Sequence, residues 1–275
     1  MHPTLFKIGP FTVYSYGVML VTAFLVGYYF FSKEVTRKKL NENIAIDITI
    51  IAVFCGIVGS KLLYIFENFE TFLKYPIKTS FSSGGFTFLG GLILAFIVSW
   101  IYIIRKNYNF LRAADAVAPS LIIAYGIGRI GCHLAGDGDY GIPTNLPWGM
   151  NYENGIVPPA HLFNGTEYAA SFPHNIFPNN TPLHPTPIYE FLASLLIFFI
   201  LWKFRRSNWR DGKIVMLYFI LSSLSRFLVE FIRLNPRIIW GLSEAQIIAV
   251  VIFIIGVSGF IYLTSSQESV YQNQS

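Results

Sequence analysis

The chain has 275 residues, of which 53% are hydrophobic and only 13% are charged, with a formal net charge of +5. Ordinary globular domains carry about 25% charged residues, and a mean hydropathy of +0.51 excludes a disordered chain, a solvated repeat array and most soluble enzymes. This composition is that of a membrane protein. Two cysteines, Cys55 and Cys132, provide neither a disulfide framework nor a cysteine-based metal site.

A spanning helix needs about 20 mostly apolar residues. Seven such segments follow one another, at about 13–31, 44–66, 86–104, 113–134, 187–204, 214–232 and 242–263. The first has one preceding positive charge, no small-residue cleavage pattern and an apolar run too long for a signal peptide, so it reads as a retained span. The stretch 135–186 is rich in Pro, Asn and Gly with little periodicity, and reads as an irregular extracytoplasmic cap. Residues 67–85 form a smaller loop or arm on the same side, and the polar tail 265–275 is expected to fray. The expected architecture is an all-α integral membrane protein, one membrane domain over 1–275 with loop insertions at about 67–85 and 135–186.

The basic residues set the expected orientation. The loops after spans one, three and five hold Lys33, Arg37, Lys38 and Lys39, then Arg105, Lys106 and Arg112, then Lys203, Arg205, Arg206, Arg210 and Lys213. The opposite side holds Lys7, Lys74, Lys78, Arg233 and Arg237. By the positive-inside bias the N-terminus lies outside and the C-terminus in the cytoplasm. The positive charge is spread over short loops with no aromatic interleaving or recognition motif, so nucleic acid is not an expected partner.

Charges inside a bilayer are expensive and usually mark function. Arg129 lies in span four, and Arg226 and Glu230 lie at i and i+4 on one face of span six. Asp137 and Asp139 follow span four, Lys61 and Glu67 close span two, and Glu190 opens span five. All fall toward the outer side, so a convergent site at the outer leaflet is expected. Snorkelling to the nearest interface is the plainer reading for Lys61, and an ion pair that pins helix packing is the plainer reading for Arg226 with Glu230. Arg129 sits in Gly126-Ile127-Gly128-Arg129-Ile130-Gly131, whose glycines permit close backbone approach. A guanidinium there suits two parallel hydrogen bonds to a phosphate, which at this depth means a phospholipid headgroup. Gly84, Gly85, Gly90 and Gly91 around the start of span three point to close packing or a backbone-lined cavity.

The stretch Gly128-Arg129-Ile130-Gly131-Cys132-His133-Leu134-Ala135-Gly136-Asp137 resembles prolipoprotein diacylglyceryl transferases, which typically carry Gly-Arg-x-Gly-Asn-Phe-x-Asn-x-Glu there. Further segments are similar to the family's in order: Tyr16-Gly17, Gly59-Ser60-Lys61-Leu62-Leu63-Tyr64, Leu89-Gly90-Gly91-Leu92-Ile93, His184-Pro185-Thr186-Pro187-Ile188-Tyr189-Glu190, and Arg226-Phe227-Leu228-Val229-Glu230-Phe231-Ile232-Arg233. The departures are Leu89 for the family's histidine, Cys132 and Ala135 for its asparagines, the shorter Asp137 for its glutamate, Pro187 for its glutamine, and one extra residue in Gly138-Asp139-Tyr140-Gly141.

The resemblance implies transfer of a diacylglyceryl group from phosphatidylglycerol to the lipobox cysteine of secreted prolipoproteins. It implies a multi-pass protein of the bacterial cytoplasmic (inner) membrane, its site facing the outer leaflet, with no metal and no soluble cofactor. On this reading Arg129 and Arg226 hold the phosphate, Glu230 orients Arg226, and Arg233 assists at the interface. His133, four residues after Arg129, is the candidate base in place of the missing histidine, oriented by Asp137. Tyr16, Gly90, Gly91, His184, Tyr189, Glu190 and Arg233 are the expected substrate-binding residues. Cys132 reads as small-residue packing, and His2, His161 and His174 as surface residues. The alternatives are a family paralogue with a different acceptor or lipid donor, and a non-catalytic lipid-binding or transport protein. Repeated halves, expected of many transporters, are not seen by eye.

Overall fold

A computed structural model describes residues 1–9, 11–82 and 85–272, with side chains through Ser265. Two hairpin strands, β1 (Thr4–Ile8) and β2 (Phe11–Tyr14), precede α1 (Ser15–Arg37). There follow α2 (Asn43–Glu67), the short α3 (Phe69–Lys74) and α4 (Pro76–Phe81), then α5 (Phe88–Arg105) and α6 (Phe110–Ala135). After a long connection carrying α7 (Pro159–Phe163) come α8 (Thr186–Phe204), α9 (Lys213–Val229), the strands β3 (Arg237–Ile239) and β4 (Leu242–Ser243), and α10 (Glu244–Gln272). Seven of these helices are long and apolar enough to cross a membrane: α1, α2, α5, α6, α8, α9 and α10. They coincide with the seven apolar segments of the sequence. Large apolar side chains such as Leu25, Phe54, Phe96, Leu196 and Ile254 stay exposed along them, as expected where lipid covers the surface.

The chain divides into two compact units, Tyr28–Val117 and Met1–Gly27 with Ala118–Ser275. In the first unit, α2 and α5 meet through small residues. A Cβ on Gly59 would lie 2.5 Å from the Gly90 carbonyl oxygen and 2.8 Å from Leu94 Cβ, and one on Gly91 would lie 2.6 Å from the Gly56 carbonyl oxygen. Without a hydrophobic drive between helices in lipid, such backbone approach is what holds them together. Gly90 and Gly91, expected to bind substrate, thus have a packing role in this structure, while Gly84 lies outside the described residues. Lys61 reaches the connection that follows α4. Its ammonium donates to the Ser82 carbonyl oxygen at 3.0 Å and the Ser82 hydroxyl at 2.9 Å, and sits 4.7 Å from the centre of the Phe86 ring. Phe31, Val35, Ile44, Ile48, Ile103 and Ala113 form the unit's core, beside a buried Lys38–Asp115 ion pair at 3.0 Å.

In the second unit, α8 packs on α9 and α9 on α10. A Cβ on Gly126 would meet Ser194 at 2.9 Å, one on Gly131 would meet Met19 at 3.1 Å, and one on Gly128 would meet nothing. Two of the three glycines around Arg129 therefore admit neighbouring helices. The connection between α6 and α8 is irregular, as its composition predicts. Beyond α7 its helical content is two single 3-10 turns. Its core is aromatic: Tyr140 and Tyr152 rings lie 4.6 Å apart and Phe163 stacks on Phe177 at 4.5 Å, with Leu183 fully buried beside them. The tail departs from expectation, since α10 continues helically to Gln272. Residues 273–275 lie outside the described residues.

Replacing Gly59 with leucine is expected to separate α2 from α5. Overpacking of this kind costs about 1–3 kcal/mol, so the purified protein should denature at a lower temperature in detergent. An unchanged melting temperature would contradict the packing role of this glycine.

Candidate active site

The convergence begins at helix ends. Arg129 lies near the C-terminal end of α6, Glu190 near the N-terminal end of α8, and Arg226 in the last turn of α9. Glu230 opens a 3-10 turn that ends α9, and Arg233 follows it. Asp139 lies just beyond α6. These ends belong to one unit of the protein and bring six charged side chains together.

Glu190 is the hub. One carboxylate oxygen accepts from Arg226 Nη1 at 2.9 Å and from the Tyr125 hydroxyl at 3.0 Å. The other lies 3.1 Å from Arg129 Nε and 3.7 Å from Arg233 Nη1. Glu230 faces Arg226 Nη2 at 3.0 Å and Arg233 Nε at 3.9 Å through one oxygen. Its second oxygen accepts from the Ser243 hydroxyl at 2.8 Å and from Asn235 Nδ2 at 2.5 Å. Asp139 bridges Arg129 and Arg233, one oxygen to each guanidinium. Arg129 also stacks over Tyr125, 4.8 Å from its ring centre, a favourable cation–π placement.

Burial decides how these charges behave. Glu190 and Glu230 are 2% and 0% exposed. An isolated carboxylate there would cost far more than a hydrogen bond returns, so the arginines are obligatory partners. Arg233, expected to assist at the interface, is 9% exposed and lies inside the cluster, where its pairing with Asp139 and Glu190 offsets the loss of water. Two of its N–H groups, Nε and Nη1, are buried and complete no hydrogen bond. Burial disfavours its charged form, but Asp139 and Glu190 more than reverse that effect. Burial would likewise raise the Asp139 carboxyl, but Arg233 and Arg129 hold it down at about 2. Asp139 is thus ionised near neutral pH.

His133 and Asp137 take different partners from those expected. His133 Nδ1 lies 3.0 Å from the Tyr152 hydroxyl, which ties α6 to the aromatic core of the cap. Asp137 faces the Cys132 thiol and accepts from the Asp139 backbone N–H at 3.3 Å, instead of orienting His133. Burial first, and then the nearby Asp139 charge, push the Asp137 carboxyl up from its usual value. Donor atoms of Cys132, Asp137 and Asp139 lie within 4.8 Å of one another, close enough to share a cation, although Asp139 is committed to two guanidiniums.

The segment between these groups is narrow. A Cβ on Gly141 would meet Thr186 Cγ2 at 2.8 Å and His184 Cβ at 3.0 Å, so only glycine lets the chain pass between α8 and the end of α9. His184 Nδ1 lies 3.2 Å from the Tyr189 hydroxyl, which accepts from Trp148 Nε1 at 2.8 Å. These three hold the cap to the start of α8. Tyr16 lies within electrostatic reach of Arg129, Asp137 and Asp139.

Residues 3–262 match the family described as prolipoprotein diacylglyceryl transferase. The chain belongs to the prolipoprotein diacylglyceryl transferase family. It is 34% identical over 262 residues to the phosphatidylglycerol–prolipoprotein diacylglyceryl transferase of Clostridium tetani, covering 94% of this chain and 97% of that protein. It is 33% identical over 249 residues to the second such transferase of Clostridium perfringens, covering 89% of each, and 30% identical to that of Thermotoga petrophila, covering 96% of this chain and 85% of that protein.

Among the transferase's expected site residues, Arg129, Arg226, Glu230, Arg233 and Glu190 meet in one cluster. His133, His184 and Tyr189 connect helices to the cap. Gly90 and Gly91 belong to the other unit. His2, His161 and His174 are exposed, as expected. Sequence reading noticed Asp139 only as a charge and missed Tyr125, Asn235 and Ser243. Tyr125 was legible as the residue one turn before Arg129. Nothing marked Asn235 and Ser243, which reach Glu230 only through the β3–β4 fold.

Replacing Glu190 with glutamine leaves three guanidiniums facing two carboxylates. Breaking a buried pair costs about 3–5 kcal/mol. Denaturation in detergent should therefore shift strongly downward for this variant, and a shift no larger than that of a surface substitution would contradict the hub role.

Proposed function

We propose that the chain transfers a diacylglyceryl group from phosphatidylglycerol to the lipobox cysteine of secreted prolipoproteins, at the outer leaflet of the bacterial cytoplasmic membrane. A single family match spanning both compact units supports reading residues 1–275 as one membrane domain. The larger share of Lys and Arg in the loops after spans one, three and five supports an external N-terminus. The observation that carries the chemistry is the convergence of Arg129, Arg226 and Arg233 on one side of the membrane helices, around buried carboxylates that hold them in place.

The reaction needs little else from the protein. The acceptor sulfur attacks the glycerol carbon that bears the phosphate. A carbon–sulfur bond forms, the carbon–oxygen bond breaks, and its electron pair leaves on the phosphate oxygen of glycerol phosphate. Charge grows on the leaving phosphate, and preorganised guanidiniums stabilise it in proportion. Arg129 and Arg226 take this role. They are the more exposed arginines of the cluster, with 19% and 28% of their side chains accessible. Glu230 and Glu190 fix Arg226 from two sides, and Arg233, the most buried, meets the phosphate where Asp139 bridges it to Arg129.

The acceptor thiol must also lose its proton, because the thiolate is the nucleophile. His133 is the base in this scheme. It takes the proton on Nε2 when Nδ1–H donates to the Tyr152 hydroxyl oxygen, since a hydrogen bond at one ring nitrogen sets the tautomer at the other. Tyr16, Tyr189 and the cap residue Trp148 are assigned to contact with the lipid and the peptide in this scheme, Tyr16 and Trp148 being exposed.

In a transfer assay with labelled phosphatidylglycerol and a lipobox peptide, Arg129→Ala and Arg226→Ala should each reduce turnover by about 10²–10³. Full activity in either variant would rule out its phosphate role. His133→Ala should slow transfer by about 10²–10⁴ at neutral pH, and normal rates would mean that another group takes the proton. A paralogue with a different acceptor is favoured by Leu89 and Cys132 at positions where the family has histidine and asparagine. It predicts no transfer to the lipobox peptide by well-folded protein.

A further inference from the structure

The six ion-paired side chains of the cluster sum to no net charge when all are ionised. Three guanidiniums, Arg129, Arg226 and Arg233, face three carboxylates, Glu190, Glu230 and Asp139. A phosphodiester adds a further negative charge, so one carboxylate has to yield when it binds. The three are not equivalent. Glu190 and Glu230 are 2% and 0% exposed and start from helical or 3-10 backbone, while Asp139 is 30% exposed and lies on the connection after α6. Asp139 spans two arginines with its two oxygens, one to Arg129 and one to Arg233, which is how a phosphate with two free oxygens would bridge them; Glu190 also spans two arginines, but from a buried position on α8. Its backbone is fixed independently, because the Thr186 hydroxyl donates to the Asp139 carbonyl oxygen at 2.5 Å. The side chain can therefore leave the arginines by rotation alone, without unfolding the loop.

We infer that Asp139 is a positioning residue that stands in for the substrate phosphate, holding Arg129 and Arg233 in a phosphate-ready arrangement and yielding them to the lipid. The inference rests on the phosphate role proposed for Arg129. When the carboxylate swings toward water, the remaining five groups carry one positive charge, matching a phosphodiester monoanion. When glycerol phosphate has formed, the returning carboxylate competes with it for the same two guanidiniums and promotes its release. Asp139 thus weakens ground-state lipid binding and speeds product departure, which is a different signature from that of a structural ion pair.

The test is the transfer assay with glycerol phosphate added as inhibitor. Asp139→Asn keeps the size of the side chain and the Thr186 hydrogen bond but removes the competing charge. The Michaelis constant for phosphatidylglycerol and the inhibition constant of glycerol phosphate should both fall, by about tenfold, as expected for removing one close like charge from an anion site. kcat should fall with slower product release. Asp139→Ser should show the same tightening, and Asp139→Glu should return both constants toward those of the parent. If Asp139→Asn and Asp139→Ser leave both constants unchanged or raise them, or if either variant fails to fold, Asp139 is a structural partner and the inference is wrong. Arg129→Ala separates the two readings. It should weaken glycerol phosphate inhibition whatever Asp139 does, and if it does not, the phosphate role of Arg129 itself fails.

Discussion

The site depends on one constraint: the Glu190 carboxylate is buried beside membrane-spanning helices and cannot exist there unpaired. Removing a charge from water costs several kcal/mol even after relaxation, and attraction to a partner repays this only when geometry is good. Glu190 meets that demand by drawing on Arg129 from α6, Arg226 from α9 and Arg233 beyond it. The helices are thereby placed at matching heights. Small residues make the approach possible, with Gly126 against Ser194 where α6 meets α8, and Gly141 where the cap chain passes close to Thr186.

A second layer keeps the first from drifting. Glu230 receives hydrogen bonds from Ser243 and Asn235, and its backbone carbonyl accepts from Arg237 at 3.0 Å. Arg237 in turn donates at 2.7 Å to Gln246, which is fully buried at the start of α10. A turn, a two-stranded hairpin and a helix start are therefore committed to orienting one carboxylate, which orients one guanidinium. This is the arrangement expected where a developing negative charge must meet donors already in position.

Much of this was legible in the sequence because membrane helices have a length threshold and exclude charge. Seven apolar segments gave the seven helices to within a few residues at most ends, and the charges that interrupt them gave Arg129, Arg226 and Glu230. The i, i+4 relation of the last two was readable because helical spacing alone sets it. The rest was not legible for physical reasons. Lys61 and Arg233 lie near helix ends, where long cations commonly snorkel, and only the fold shows which partners they take. Gly90 and Gly91 have the composition of either a cavity wall or a packing face, and the choice depends on what α2 presents at Gly59. His133 shares a helical face with Arg129, but the Tyr152 that takes its Nδ1 comes from an irregular connection with no periodicity to read. Asp139 lies in the extra-residue segment, where family spacing gives no guidance.

Charge balance connects the folding of the site with its turnover. Three arginines with two carboxylates would leave an uncompensated positive charge in the empty cluster, and the arginines would repel one another. Asp139 balances that charge, and the guanidiniums hold its carboxyl down at about 2, so it is ionised near neutral pH. The same neutrality would block a phosphodiester if the third carboxylate were as buried as Glu230. Placing it on a partly exposed connection, with its backbone anchored through Thr186, reconciles the two demands. The site is preorganised without substrate, and the group that preorganises it is the one that water can most readily accept.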